Sequence, residues 1–394
     1  MSDRMRIAFV YDALFPYVKG GAERRYHELA RRLAERHDVH MVTWTWWDGQ
    51  PDASLDGITL HGVGRPPALY GADGKRTVRE AASFSARLLP VLLRHQWDVI
   101  DCAATPYVPL WSSWLASRLG GTRLTVTWHE FWGDHWLRYL PGRPAVARLA
   151  RSLESASRHL GDHLVAVSDF TAGAMAMPPD RVRVVPNGID LGEIDEATVA
   201  HEGADIVFVG RLIDEKRVDL LLDAAALLRH SRPGLRYAII GAGPELGALL
   251  SRAETIGVSD RVTFHGQLNA AEAFGHLKAA QLLVMPSIRE GFGMAVAEAQ
   301  AAGTVPIVVR SATSGATDLV RDGIDGFVTE PTPAGVASAI DRALADVSSL
   351  RRMSLAARAA GADRDWDRLA ARMEAIYLGR QPAPISVSDL ERAA

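Results

Sequence analysis

The sequence predicts an α/β protein of two doubly wound, Rossmann-like parallel sheets in tandem. Three observations carry that reading. Short apolar runs alternate with helical patterns along both halves, as parallel βαβ units require. A stretch of Pro, Asn, Gly and polar residues, VRVVPNGIDLGEIDEATVAHEG (182–203), separates the two series and reads as an interdomain linker. The 394 residues, 48% of them hydrophobic, are enough for two or three cores of ordinary size.

The first series places strands at 6–11 (RIAFVY), 39–44 (VHMVTW), 58–63 (ITLHGV), 98–102 (DVIDC), 123–128 (RLTVTW) and 163–167 (HLVAV). Between the first two, GGAERRYHELARRLAERH (20–37) sets Tyr26, Leu29, Ala30 and Leu33 on one face and arginines on the other, an amphipathic helix. The second series places strands at 205–210 (DIVFVG), 236–241 (RYAIIG), 261–266 (RVTFHG), 281–286 (QLLVMP) and 305–309 (VPIVV). The domains are accordingly 1–185 and 186–363, and the patternless tail 381–394 is expected to be loosely ordered. Ligands of such sheets bind beyond the carboxyl ends of the strands, so a cleft between the domains is the expected site.

Charge and cysteine usage narrow the function. Forty-four basic against 47 acidic residues give a net charge of −3, which offers no overall field for nucleic acid. Lysines are scarce (Lys19, Lys75, Lys216, Lys278), so the position of each is informative. The single cysteine, Cys102, excludes an intramolecular disulfide and a Cys-based zinc site and fits a reducing cytosol. MSDRMRIAFVYD enters a strand with no apolar leader, and no window approaches about 18 apolar residues. A cytoplasmic protein is expected, a monomer or homodimer, with at most peripheral membrane contact through helices such as SFSARLLPVLLRH.

The most informative segment is EGFGMAVAE (290–298). LLVMPSIR before it reads as a buried strand ending in a Pro/Ser break, and Met294 to Ala302 after it is a helix closed by Gly303. The helix entry offers unpaired N–H groups and the positive end of the dipole, which suit a phosphate or a dense set of hydroxyls. Glu290 lies at that mouth, and Glu298 lies two turns inside on roughly the same face. Two carboxylates beside an anion site accept from hydroxyls. A nucleotide sugar supplies both phosphate and hydroxyls.

Gly210, Arg211 and Lys216 form G-R-x-x-x-x-K between a strand and the helix KRVDLLLDAAALLRH. The glycine permits a sharp turn, and two cations then converge where a diphosphate is neutralised without a metal. Taken alone they read as a helix-start lysine and a rim arginine; beside the Glu290 segment the phosphate reading prevails. GAGPELG (241–247) lacks the third glycine of a dinucleotide fingerprint, Leu246 standing in its place, so it reads as a tight turn lining the cleft. Gly20 and Gly21, ahead of Glu23 at a helix start, read alone as a flexible loop before a helix; paired with Arg211 they are a second candidate anion or hydroxyl contact.

His129 and Glu130 close a strand and open the loop WHEFWGDHW. A histidine there can hydrogen-bond a sugar hydroxyl or polarise a reacting group. His135 and Asp134 are not at convincing metal-ligand spacing from it, so no metal site is expected. Nine of ten tryptophans lie in the first 136 residues; those of WTWW (44–47) and of WHEFWGDHW, Trp46 and Trp132 among them, serve either as stacking walls for an acceptor or as core.

These segments together resemble the GT4-type family of retaining glycosyltransferases with the GT-B fold. The resemblance runs through GGAE, VSDF (167–170), PNGID (186–190), GRLIDEK (210–216), GAGPE, VTFHG, MPSIREGFGMAVAEA and DGIDGF (322–327). It implies that Arg211 and Lys216 bind the donor diphosphate and that Glu298 takes the ribose hydroxyls. Glu290, with the amides of Gly291, Phe292, Gly293, Met294 and Ala295, would hold the transferred sugar and phosphate. His129 would lie near the reaction centre, and Gly21 near the diphosphate or acceptor. The helix at 364–380, with Trp366 and Tyr377, is similar to the family segment that crosses back to complete the first domain. TSGATDLV departs mildly from the family pattern, with Asp318 in the acidic place.

The implied reaction transfers a hexosyl group from a nucleoside diphosphate sugar, UDP- or GDP-linked, to a hydroxyl or amine of a natural product, saccharide or lipid-linked glycan, with retention. Arg211, Lys216, Glu290 and His129 are the catalytic candidates, no cofactor or metal is required, and Gly20, Glu130, Trp132 and Trp46 are acceptor candidates. A nucleotide-sugar epimerase or hydrolase on the same scaffold is the alternative among enzymes. A solute-binding protein is the alternative outside them, and it has no need of paired cations on a diphosphate.

Overall fold

A computed structural model describes residues 4–18, 20–68, 78–140 and 142–380; the tail 381–394, Lys19 and Lys75 lie outside the described residues. The described chain falls into two compact units. One runs to Asn187 and resumes at Trp366; the other is Gly188–Asp365. Among the described residues no helix is long and apolar enough to cross a membrane.

The first unit holds β1 (Arg6–Val10), β2 (Asp38–Thr43), β3 (Asp52–Leu55), β4 (Ile58–Gly62), β5 (Val99–Ala103), β6 (Arg123–Trp128), β7 (His163–Ala166) and β8 (Val182–Val184), in the order β3-β4-β2-β1-β5-β6-β7-β8. All pairings are parallel except the β3–β4 hairpin. Ile7 and Phe9 enter one apolar cluster while Ala8 and Val10 enter another, so β1 is covered on both faces. Such burial is why parallel strands read as unbroken apolar runs. Trp366, Leu369, Met373, Ile376 and Tyr377 of the helix Trp366–Tyr377 pack into the first cluster beside Phe9, Tyr26 and Leu33. The Tyr377 hydroxyl donates to Asp101 at 2.5 Å.

Three strands are absent from the sequence reading: β14 (Phe327–Thr329) in the second unit, and two in this one. The hairpin partner β3 is joined to β4 through Asp56 and Gly57, with φ of 50° and 80°, the left-handed pair a tight two-residue turn needs. Within the stretch taken as a linker, β8 pairs with β7 as the sheet's edge, and Leu191–Glu196 is a short helix capped by Asp190, which accepts from Glu193 N–H at 3.0 Å. Three residues are too few for an alternating pattern to register, and its Pro-Asn-Gly continuation masked it.

The second unit holds β9 (Ile206–Val209), β10 (Tyr237–Ile240), β11 (Val262–Gly266), β12 (Leu282–Met285), β13 (Val305–Val309) and β14 (Phe327–Thr329), all parallel, in the order β11-β10-β9-β12-β13-β14. The chain winds one way from β9 to β11 and the other way from β12 to β14. The winding reverses between β9 and β12, and the carboxyl ends of the strands at such a reversal are where ligands meet sheets of this kind.

Candidate functional site

Both loops at that reversal carry predicted site residues. After β9 the chain passes Gly210 and Arg211 and forms a short 3-10 turn, Asp214–Lys216, so Lys216 precedes the helix Val218–Leu227 instead of beginning it. Three main-chain bonds hold the approach: Gly210 N–H to Ile240 O at 3.0 Å, Leu212 N–H to Ala242 O at 2.9 Å, and Glu245 N–H to Leu212 O at 3.1 Å. The glycines of GAGPELG permit this contact. A Cβ on Gly241, whose φ is +138°, would lie 1.8 Å from Gly210 O, and one on Gly243 would lie 2.2 Å from Leu212 O. Their role is close approach of two backbones, which leaves the dinucleotide reading without support.

After β12 the loop is stapled on both sides. Ile288 N–H donates to Glu215 O at 3.0 Å, tying it to the Lys216 turn. Glu290 N–H donates to Thr313 O at 3.3 Å and Gly315 N–H to Glu290 O at 2.7 Å, while the Ser311 and Thr313 hydroxyls both donate to Ile288 O at 2.6 Å. The departure segment TSGATDLV is thus the far wall of this loop, with Asp318 on the 3-10 turn Gly315–Leu319. Held from both sides, the Glu290 carboxylate accepts from Lys216 Nζ, and the two side chains keep only 12% and 17% of their exposure. Arg211 is exposed and makes no ion pair among the described residues.

Gly293 then turns the chain into the helix Met294–Ala302. Its φ of 104° is left-handed, and a Cβ there would stand 3.0 Å from Ala316 Cβ. No side chain caps this helix start, so its dipole end remains available to an anion. Gly291, Phe292 and Gly293 are buried, and Met294, Ala295 and Glu298 are half-buried. The second unit therefore gathers Gly210 to Lys216 and Glu290 to Glu298 around one strand crossing, while Gly21, also predicted to bind the donor, lies in the first unit.

In the first unit the order reverses between β1 and β5, and a small crevice there is lined by Val10, Tyr11, Asp12, Cys102, Ala103 and Thr105. Gly20 is the extended N-cap, and Gly21 the first residue, of the helix Gly21–Ala34; a Cβ on Gly20 would meet only the mobile end of Glu23. His129 follows β6. Its Nε2 is buried without a hydrogen-bond partner among the described residues, and its ring lies 6.1 Å from that of Tyr26. Burial, and then the Arg25 guanidinium, push its pKa down to about 3, so the ring is neutral at physiological pH. Arg25 is itself buried and donates to Pro186 O at 2.6 Å and Asn187 Oδ1 at 3.2 Å.

The tryptophans divide. Trp44 and Trp47 are core residues, donating to Glu80 at 2.6 Å and to Gln50 O at 2.8 Å, and are withdrawn as stacking walls. Trp46 is half-buried and donates to Asp12 O at 3.1 Å, which ties it to the loop after β1. Trp132 donates to Glu130 at 2.8 Å and packs with Trp136 and Tyr139, ring centroids 4.7 and 4.8 Å away. His129, Glu130 and Trp132 thus share one loop. The sequence reading missed Glu154, a buried acid that accepts hydrogen bonds from this loop. The signal was present in the spacing of Ala147, Glu154 and Ser157 along the inward stripe of the helix Pro144–Ser157.

Comparison with known proteins identifies the fold and the family. Residues 19–193 match the model described as Glycosyltransferase Family 4, and residues 193–360 the one described as Glycosyl transferases group 1. A D-inositol 3-phosphate glycosyltransferase of Geodermatophilus obscurus is 30% identical over 402 residues, covering 91% of this chain and 84% of its own. One from Streptomyces scabiei is 31% identical over 401 residues, covering 91% and 86%. Among solved structures, sucrose-phosphate synthase from Thermosynechococcus elongatus superposes with a TM-score of 0.77 at 19% identity, over 99% of this chain and 100% of that one. HepE from Anabaena, in complex with UDP and glucose, gives 0.73 at 19% identity over 95% and 100%. At such identities the structures speak for the fold, and the curated relatives for the family. This chain belongs to the GT4-type glycosyltransferases, enzymes of the GT-B fold.

Proposed function

We propose that this glycosyltransferase moves a hexosyl group, with retention, from a UDP-sugar to a hydroxyl of a phosphorylated polyol, and that it does so without a metal. The observation that carries the donor half is the Lys216–Glu290 pair at the β9/β12 reversal, beside an uncapped helix start. A diphosphate seated there meets Lys216, Arg211 and the amides at Met294 and Ala295, and its hydroxyl-bearing ends meet Glu290 and Glu298. UDP is chosen as the nucleotide because HepE was solved with it, and the acceptor class because relatives are named for D-inositol 3-phosphate.

In the proposed step the bond from the anomeric carbon to the diphosphate oxygen breaks, and the acceptor oxygen bonds to that carbon on the same face. The acceptor proton passes to the leaving phosphate. Negative charge grows on the diphosphate as the bond breaks, so Arg211, Lys216 and the helix start stabilise the transition state more than the bound donor. Glu290 orients the sugar and is not a nucleophile. His129, neutral, hydrogen-bonds a sugar hydroxyl and carries no proton through the cycle.

The test is donor first, acceptor second. UDP-, GDP-, ADP- and dTDP-sugars are screened by thermal shift, and the stabilising donor is then incubated with D-inositol 3-phosphate, in buffer with and without a chelator. The expected result is a glycoside whose anomeric configuration, read by NMR, matches the donor's, at a rate the chelator leaves unchanged. Donor converted to an epimer with no acceptor present would sink the reading.

A further inference from the structure

Glu154 is the one acid that the helix Pro144–Ser157 turns fully inward, at 0% exposure. A carboxylate withdrawn from water needs donors on both oxygens. Glu154 Oε1 accepts from the Tyr107 hydroxyl at 2.5 Å and from Trp132 N–H at 2.7 Å, and Oε2 accepts from Gly133 N–H at 2.7 Å. Burial pushes this carboxyl up, and the donors around it pull the other way, with burial the larger effect. Two of the donors are consecutive main-chain groups of the loop after β6, where residues 130–132 belong to neither strand nor helix. That stretch has no sheet ladder to fix it. The carboxylate takes the ladder's place.

What it fixes is the segment with the predicted acceptor-side residues. Trp132 N–H is held by Glu154 while the Trp132 indole donates to Glu130 at 2.8 Å, so one buried anion sets both the backbone and, through the indole, the Glu130 side chain. His129 stands at the head of the same loop, its carbonyl accepting from the Thr171 hydroxyl at 3.4 Å.

We infer that Glu154 is a positioning residue for glycosyl transfer: it holds the His129–Gly133 loop in the conformation that presents His129, Glu130 and Trp132 to the sugar and acceptor. This rests on the transfer reading above. A glutamine cannot do the same, because it offers one acceptor oxygen and an NH2 group, which leaves one loop N–H facing a donor. Arg211, Lys216 and the helix start at Met294 lie in the other unit and none of them is among the hydrogen-bond partners of Glu154, so loss of Glu154 separates turnover from nucleotide binding.

The experiment compares the full-length chain with Glu154→Gln in three readouts, at a temperature below the melting transition of each. Near-UV circular dichroism reports aromatic packing, to which the coupled Trp132–Trp136 ring pair contributes, calorimetry reports the Kd for UDP, and UDP release from UDP-glucose with D-inositol 3-phosphate present reports turnover. The inference expects a weakened near-UV signal, an unchanged Kd for UDP and turnover at least about tenfold lower. A folded Glu154→Gln with wild-type turnover and near-UV signal would overturn it. If Glu154→Gln does not fold, Glu154→Asp keeps both acceptor oxygens but draws them one methylene back from the two loop amides; a fall in turnover at unchanged UDP affinity supports the inference, and wild-type turnover overturns it. Wild-type protein that releases no nucleoside diphosphate from any nucleotide sugar would count against the transfer reading instead, and the near-UV comparison would still decide for or against Glu154.

Discussion

Lys216 and Glu290, 74 residues apart in sequence, form a half-buried ion pair at the point where the second sheet reverses its winding. Each compensates a charge that its partner would otherwise leave stranded, so either single change costs more than the contact itself. Lys216→Ala is expected to lower kcat by about 10²-fold, because it removes a cation whose interaction with the diphosphate strengthens as the anomeric bond breaks. In urea unfolding, the cycle of Lys216→Ala, Glu290→Ala and the double variant is expected to give a coupling of about 1–3 kcal/mol. Wild-type kcat in Lys216→Ala would reject its catalytic role.

Two buried groups of the first unit pull stability in opposite directions with pH. The folded-state pKa of His129 is depressed from 6.5 to about 3, so between those values the unfolded chain binds a proton that the folded chain does not. Its contribution is present above 6.5 and is lost as pH falls towards 3. Asp101, buried and only partly compensated by the Tyr377 hydroxyl and Arg25, has its pKa raised from 3.8 to about 6. There the folded chain binds the extra proton, so stability from this group rises as pH falls from 6 to 3.8. Melting temperature followed over this range should lose acid-side instability in His129→Asn and lose acid-side stabilisation in Asp101→Asn. Parallel profiles for the two variants would contradict the assignment.

The strands buried on both faces and the helix Gly21–Ala34 were legible in sequence because burial and amphipathic spacing leave long, redundant patterns. The proposed donor residues stood out for a different reason: Gly210, Lys216, Glu290 and Gly293 fall in strand-to-helix loops, and Gly293 takes a φ of 104° that few other residues adopt. β3 was overlooked although its Asp56-Gly57 turn is a direct hairpin signal, since an exposed edge strand such as DASL has little apolar content to find. β8 is three residues long, too short for any period. Glu154 escaped because a polar residue on a helix reads as solvent-facing until its neighbours along the stripe are counted. The Lys216–Glu290 pair itself was beyond sequence reading, as the loops that carry them meet only through strand order.

Glycines in the second unit should separate by conformation. Gly241→Ala puts a methyl 1.8 Å from Gly210 O at a φ of +138°, and that oxygen belongs to a backbone stretch that three hydrogen bonds hold in place. Gly247→Ala, in the first turn of the helix Leu246–Thr255, meets nothing within 4 Å. The first is expected to destabilise by several kcal/mol and to weaken nucleotide binding with it, because the Gly210–Lys216 turn shifts. The second should be neutral or stabilising by up to about 1 kcal/mol, as alanine favours a helix more than glycine does. Urea midpoints that fall together would show that the close approach is not what Gly241 is for.

Glu298 tests the division of labour within the helix that Gly293 starts. It stands half-buried in the middle of the helix Met294–Ala302, beyond the amides proposed for the diphosphate and on the side assigned to the ribose. Hydroxyls of the nucleoside do not change charge as the sugar departs, so their carboxylate partner binds donor and transition state alike. Glu298→Ala should therefore raise the donor KM by about tenfold or more while kcat stays near wild type, and Glu298→Gln, which keeps one acceptor oxygen, should fall between. The 2′-deoxy donor gives an independent check: its KM should already be high for the wild-type enzyme and should rise little further on Glu298→Ala. A fall in kcat with donor KM unchanged would move Glu298 out of the ribose role and into the reacting centre.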